Sequence, residues 1–328
     1  MSNKPSVSVI IPAYNRAETI GPVISSVINQ TFPVSEIIVI DDGSTDGTDS
    51  AIREVIEANS RWEDRMTHLK QPNGGKSSAL NLGLPHAQSE WIAFNDSDDL
   101  WKSDKLEKQF MAIDRFPHCK VCFTDTLYGY QGTTTTLEIA GIKPRDNMGV
   151  MKDMPLLLAS RASGIMMQTL VVHSGIIKDF GEFDTRLTVS QDTDLLFRLS
   201  LLADFCYVNE PLVLLDREES RTDKLTRRHP TIKPARMKED LHMHSKWKSL
   251  ADPADTRLMR VLNDRYLSML SALSNSYALE GDFQNAEKYI KMAHVESKSV
   301  KYGAKWLMTK FFPGLTRSLI QSRTSQAH

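Results

Sequence analysis

The sequence predicts an α/β domain, with strands alternating with helices about one sheet, followed by a smaller all-helical segment. Three observations carry this. Val7–Ile11 is a continuous β-branched run, the mark of a strand buried on both faces. Ile20, Val23, Ile24, Val27 and Ile28 recur at helical spacing soon after it, and the alternation repeats along the chain. Past about residue 228 strand patterns stop and only helical periodicity remains, which places the domains at 1–228 and 229–328.

The elements follow in order. After Val7–Ile11, Asn15 and Glu18 have capping-box spacing before the first helix. Pro22 lacks an N–H, however, and moves the expected start towards Gly21. Strand Glu36–Ile40 ends in the acidic turn Asp41-Asp42-Gly43-Ser44. Helix Thr48–Ala58, a strand near Met66–Lys70, helix Ser77–Leu84 and strand Trp91–Phe94 continue the pattern. Ser103 opens a helix that turns Leu106, Phe110 and Ile113 inward, and Lys120–Thr124 reads as a strand. Tyr130–Thr136 is a polar connection, and Gly141–Val150 shows no periodicity. Strand Met167–His173, helix Asp192–Leu202 and a strand region Phe205–Leu215 close the domain. Arg227–Pro234, basic and proline-bearing, reads as a linker. Helices Leu262–Leu279 and Phe283–His294 then flank Gly281-Asp282, and no second copy follows at the period of about 34 that a solenoid needs.

Composition excludes several classes. The 328 residues hold 40 Lys+Arg against 41 Asp+Glu, a net charge of -1, so no basic field recruits nucleic acid and no such partner is expected. No apolar stretch approaches the roughly 18 residues of a membrane span, since Arg198 and Asp204 break the best one. The N-terminal region lacks a secretory pattern, and three cysteines fit a reducing compartment, so the expected location is cytoplasmic. Cys119 and Cys122 form a lone CxxC, read as structural. No HExxH occurs, and His242 and His244 are expected on a solvated helix face. Gly75-Lys76-Ser77 is not a P-loop, because Lys70 stands where the motif needs its first glycine; no GxGxxG occurs either.

Four loops leave the carboxyl ends of predicted strands, where open α/β sheets bind ligands: Pro12–Asn15, Asp41–Thr45, Asn73–Lys76 and Asn95–Asp99. Asp96, Asp98 and Asp99 put three carboxylates within four residues, an oxygen-only set suited to Mg²⁺ or Mn²⁺. An acidic turn capping the next helix is the plainer account of the same residues. Asp42 offers an acceptor for a base or ribose, and Lys76 a cation near a diphosphate at a helix N-terminus. Asp192 opens a helix, where it either complements the helix dipole or serves as a general base.

Taken together over residues 6–220, these motifs resemble the family-2 inverting glycosyltransferases of the GT-A fold. Val7–Ile11 with Pro12, Ala13, Tyr14 and Asn15 is similar to that family's first strand and nucleotide loop. Asp41–Asp46 resembles its base-binding turn, with Asp42 at the base. Asn73, Gly75, Ala79, Asn81 and Gly83 match a spaced pattern ahead of the metal site, and Asp96-Ser97-Asp98-Asp99 resembles the DxD motif, with Asp98 the direct ligand. Gly181–Asp184, Gln191-Asp192 and Leu196-Phe197-Arg198 resemble the acceptor-side segment whose aspartate, here Asp192, is the catalytic base; Gln191 departs from the usual glutamate. The resemblance implies a mixed sheet flanked by helices, a UDP-linked sugar donor and a divalent ion. It implies direct displacement with inversion, onto a glycan or lipid-linked acceptor, in bacterial surface polysaccharide or glycolipid synthesis. Lys76 and Arg217 are further donor-side candidates, chosen by position. No QxxRW motif and no membrane helices are found, which points to transfer of single sugars.

Two other readings stand beside it. A sugar-phosphate nucleotidyltransferase would carry a glycine-rich basic loop after the first strand, where Pro12–Arg16 has no glycine. A non-catalytic nucleotide-sugar-binding module has no need of Asp192. Finally, residues 297–328 hold six basic residues and no Asp or Glu, interleaved with aromatic residues and leucines. That composition fits a peripheral helix on an anionic membrane surface, at the inner face of the cell membrane, and equally a helix packed on its neighbours.

Overall fold

The computed structural model describes residues 4–129, 132–160, 164–215 and 234–325. The chain divides into two compact units, Met1–Arg221 and Thr222–His328. The linker read at Arg227–Pro234 lies, but for Pro234, outside the described residues.

The first unit is built on a sheet of nine strands among the described residues. Its strands are β1 (Val7–Ala13), β2 (Glu36–Asp41), β3 (Met66–Lys70), β4 (Trp91–Phe94), β5 (Leu100–Trp101), β6 (Val121–Leu127), β7 (Met148–Met151), β8 (Val171–His173) and β9 (Phe205–Leu214). They lie in the order β3-β2-β1-β4-β8-β6-β9-β5, with β7 also paired to β9. The first four of that order run parallel, whereas β8 runs against both β4 and β6, so the sheet is mixed. Every residue of β1 is buried, which is why its sequence shows no polar alternation. The unit's helices are α1 (Ile20–Ile28), α2 (Thr48–Ala58), α3 (Lys76–Gly83), α4 (Lys105–Arg115), α5 (Thr136–Ile139), α6 (Met154–Ser160), α7 (Ser174–Phe180) and α8 (Gln191–Ser200). Ile20 and Ile24 of α1 and Leu106 and Phe110 of α4 share one core with Val7, Val9 and Ile11 of β1.

The second unit is helical: α9 (Pro234–Leu250), α10 (Thr256–Glu280), α11 (Phe283–Ser297), α12 (Val300–Phe311) and α13 (Pro313–Ser325). Gly281 takes φ +85° to end α10, and Asp282 caps α11 by accepting from the Asn285 N–H at 3.0 Å. Among the described residues no helix is long and apolar enough to cross a membrane.

Several expectations need correction. The capping box at Asn15 and Glu18 does not form. Helix α1 starts at Ile20, so Pro22 falls among the first residues, whose N–H groups have no helical partner anyway. Helix α4 begins at Lys105 rather than Ser103. Of Met167–His173 only the last three residues are strand; Met167–Thr169 forms a 3₁₀ turn. The featureless stretch Gly141–Val150 contains the start of β7, whose four residues are all half-buried and so leave no alternation to read. His244 is buried, not solvated: its Nδ1 lies 2.9 Å from the Asp240 carbonyl and its ring 4.7 Å from that of Trp247. Cys119, Cys122 and Cys206 are all buried free thiols.

Lys105 is fully buried in this core. Its Nζ donates to Gln109 Oε1 at 2.8 Å and lies 3.9 Å from the Trp101 ring centre. Burial lowers its pKa from 10.5 to about 7. Because the folded pKa is depressed, folding favours the uncharged amine. The penalty is absent above the unfolded pKa, grows as pH falls towards about 7, and is constant below. Urea titrations of wild type and Lys105→Met from neutral pH to pH 10 should therefore converge or cross, the difference changing by on the order of a few kcal/mol. Parallel curves would show that Lys105 titrates normally.

Candidate active site

The parallel strands β3, β2, β1 and β4 end side by side, so the loops after Ala13, Asp41, Lys70 and Phe94 share one edge of the sheet. Two of these loops are tied together. Asn15, at φ +52°, donates its N–H to Ser44 Oγ and accepts from the Thr45 N–H, both at 2.9 Å. Asparagine tolerates this left-handed backbone better than most residues. Pro12 is buried within β1, and Tyr14 stands exposed at the loop's tip.

Asp42, expected to meet a base, is 3% exposed, and its carboxylate is engaged within the protein. Oδ1 accepts from Gln71 Nε2 at 2.6 Å and from the Gly74 N–H at 2.8 Å, and Oδ2 accepts from the Gly75 N–H at 2.8 Å. These bonds fix the turn that starts α3. Gly43 is required there, because a Cβ would come within 2.6 Å of the Asn73 nitrogen and its φ is +74°.

Lys76, the first residue of α3, lies between two carboxylates. Its Nζ is 2.7 Å from Asp96 Oδ1 and 3.3 Å from Asp192 Oδ1. Burial opposes its charge, but Asp192 and Asp96 outweigh that and hold the ammonium above its ordinary pKa. Burial raises the Asp192 carboxyl above the usual range; Lys76 works against the shift and Asp96 with it. The structure thus brings Asp192, on the first turn of α8, to the same lysine as the acidic loop.

In that loop, carboxylate oxygens of Asp96, Asp98 and Asp99 lie within 4.8 Å of one another. Asp98 Oδ2 is 3.5 Å from the Arg16 guanidinium. Asp99 is buried, and its Oδ2 accepts from Gln168 Nε2 at 2.6 Å. Asn95 Oδ1, Gln168 Oε1 and Gln191 Oε1 are buried acceptors without hydrogen-bond partners among the described residues. Clustered carboxylates with surplus acceptor oxygens, and no sulfur or imidazole among them, fit a hard divalent cation. A second acidic group, Asp41, Asp49 and His68, has Lys70 paired to Asp49, which disfavours a cation there.

Neighbouring residues hold this arrangement. Asn81 donates to the Phe183 carbonyl at 2.9 Å and accepts from its N–H at 2.7 Å, tying α3 to the segment before α8. Gly83 packs so closely on β2 that a Cβ would come within 2.6 Å of Ile40 Cδ1. Asp194 is committed to Arg198, whose Nε donates to it at 2.8 Å and whose other nitrogens hold the Phe180 and Glu182 carbonyls. Arg217 lies outside the described residues. The sequence reading missed Arg16, which follows the nucleotide loop directly, and Gln168, hidden in a segment read as strand.

The mixed sheet, the helices flanking it and the acidic loop at the strand ends define a GT-A glycosyltransferase fold. Solved structures agree on the fold: S. aureus TarS 1-349 in complex with UDP-GlcNAc matches with TM-score 0.71 at 16% identity, covering 98% of this chain and 92% of that one. The mannosyltransferase PcManGT from Pyrobaculum calidifontis, in complex with GDP-Man and Mn²⁺, matches with TM-score 0.55 at 19% identity, over 98% and 85%. Residues 8–159 match Glycosyl transferase family 2. The putative teichuronic acid biosynthesis glycosyltransferase TuaG of Bacillus subtilis (strain 168) is 44% identical over 108 residues, 32% of this chain. The match spans 41% of TuaG's own length.

The Asp42 bonds predict a structural cost. Asp42→Asn sets an amide N–H against the Gly75 or Gly74 N–H and leaves a buried donor unsatisfied, which costs about 1–3 kcal/mol. Denaturant unfolding should show that loss. An unchanged midpoint would mean the turn forms without the carboxylate.

Proposed function

We propose that this chain transfers a single sugar, with inversion, from a UDP-linked donor to a hydroxyl group of a glycan or lipid-linked acceptor, with a divalent metal ion. The observation that carries the reading is that Lys76 pairs both with Asp192 and with Asp96 of the acidic loop. With Asp192 as proton acceptor and the acidic loop as cation site, the two groups needed for displacement at an anomeric carbon would lie near one lysine. TuaG's name supports a cell-surface polymer as product, TarS crystallised with UDP-GlcNAc supports the donor class, and PcManGT with Mn²⁺ supports the ion.

Asp192 would accept the proton of the acceptor hydroxyl as its oxygen bonds to the anomeric carbon. The bond from that carbon to the diphosphate oxygen breaks with its electron pair, and the nucleoside diphosphate leaves. Burial raises the proton affinity of Asp192, the direction a general base needs near neutral pH. Asp98 and Asp96 would hold the Mn²⁺ or Mg²⁺ ion, which when bound offsets negative charge on the departing diphosphate. Lys76 and Arg16 carry positive charge beside the same carboxylates and can share that role.

A UDP-release assay with Mn²⁺ and candidate acceptors, and NMR of the product anomer, tests the activity and its stereochemistry. Asp192→Asn should lower kcat by about 10²–10⁴-fold while UDP still binds. Asp194→Asn should instead lower stability, since it strips a buried partner from Arg198, and leave kcat of the folded enzyme near wild type. Wild-type kcat in Asp192→Asn would move the base elsewhere.

The acidic loop is tested by binding alone. Asp98→Ala should abolish metal-dependent UDP affinity in calorimetry. Arg16→Gln removes a cation that competes for Asp98, so Mn²⁺ alone should bind up to about 5-fold more tightly, the equivalent of a partly exposed ion pair of about 1 kcal/mol. No change in either variant would remove Asp98 from the metal site.

A further inference from the structure

Helices α12 and α13 of the second unit have two unlike faces. One face packs inward: Tyr302, Trp306 and Ile320 lie against the core formed by residues such as Leu270, Leu273, Tyr289 and Ile290. Trp306 Nε1 donates to Glu287 at 3.1 Å, and Lys305 Nζ donates to Ser271 Oγ at 2.6 Å. The other face is apolar and open. Val300 is 86% exposed, and Leu307 and Phe311 follow it at i+7 and i+11 with Ala304 between, a single stripe along α12. The stripe continues past the break at Pro313 through Phe312, Leu315 and Leu319, with Phe311 and Phe312 at the bend 62% and 61% exposed. Lys301, Lys310 and Arg317 are exposed beside it, and no Asp or Glu occurs anywhere from residue 297 to 328.

From this we infer that the outer face of α12 and α13 is a docking surface for an anionic phospholipid membrane. Exposed aromatic and aliphatic side chains flanked by lysines suit insertion into the headgroup boundary, where the apolar stripe leaves water while the ammonium groups meet lipid phosphates. Charge decides between this occupant and a second copy of the chain. A two-fold self-contact sets a patch against itself, so Lys301, Lys310 and Arg317 would face their own like charges, and residues 297–328 hold no carboxylate to offset them. An anionic bilayer complements the rim. The surface is peripheral, since Pro313 interrupts the stripe and no described helix is long and apolar enough to cross a membrane. This inference rests on the second unit and does not depend on the sugar-transfer reading.

Co-sedimentation of the full chain with vesicles tests it. Vesicles of phosphatidylcholine containing phosphatidylserine should carry down the protein at low salt, and about tenfold less at high salt or with pure phosphatidylcholine, because exposed charge is screened. Phe311→Ser combined with Phe312→Ser should abolish pelleting at either salt. Both side chains are exposed, so circular dichroism and UDP binding of this variant should match wild type. Replacing Lys301, Lys310 and Arg317 with Gln should remove the preference for anionic lipid. Two results would overturn the inference: equal pelleting of the wild type and the double phenylalanine variant, or no pelleting together with a concentration-dependent dimer that the same variant dissociates.

Discussion

The ammonium of Lys76, held between Asp96 and Asp192, joins three segments that are far apart in the chain. A half-buried charge gains from pairing, so each carboxylate is held by the lysine and the lysine by both carboxylates. This constrains the topology around it. Helix α3 has to start beside the end of β4, and α8 has to aim its first turn at the same place. The ion-paired group is thus the meeting point of the parallel half of the sheet and the later helical segment. The same arrangement joins the Asp192 carboxylate to the acidic loop through one ammonium.

Positioning of Lys76 is a matter of backbone more than of side-chain reach. Asp42 collects the N–H groups of Gly74 and Gly75, and Gly75 adopts φ +83°, so the first turn of α3 leaves the loop in one direction. From the far end, Asn81 grips the backbone of Phe183 with both ends of its amide. Gly83 lets the helix settle on Ile40. The spaced small and polar residues of this motif therefore serve one purpose: they seat a short helix close to the sheet and tie it to the segment leading into α8. A larger residue at 83 would lift the helix and carry Lys76 off its carboxylates.

Much of this was readable in the sequence because the signals are local. The β-branched run of β1 and the helical stripe of α1 report burial directly, and the acidic turns fall after strands whose hydrophobicity announces them. The edge strand β7 escaped because half-burial on both faces leaves no alternation. Arg16 and Gln168 escaped for another reason: each owes its place to a partner more than 65 residues away, Asp98 and Asp99 respectively. Asp42 is the instructive middle case. Its position at a strand end marked it as a ligand acceptor, yet both of its oxygens hold the neighbouring turn. A carboxylate at such a site can shape the pocket instead of, or before, touching what enters it.

The second unit shows where periodicity stops being informative. Tyr302, Trp306, Leu307, Phe311 and Leu315 are equally apolar in sequence, and amphipathic helices look alike whether their apolar side meets protein or lipid. The folded unit divides them: Tyr302 and Trp306 turn to its core, while Leu307, Phe311 and Leu315 turn out. A soluble helix hairpin needs only the inner set. The outer set costs solubility unless something covers it, and selection against exposed apolar patches makes an uncovered one informative. The absence of any acidic residue over the same stretch narrows what that cover can be, because a protein partner rich in mixed charge would gain little there. Hydrophobic exposure and uniform positive charge are separate features, and an anionic interface is the surface that satisfies both at once.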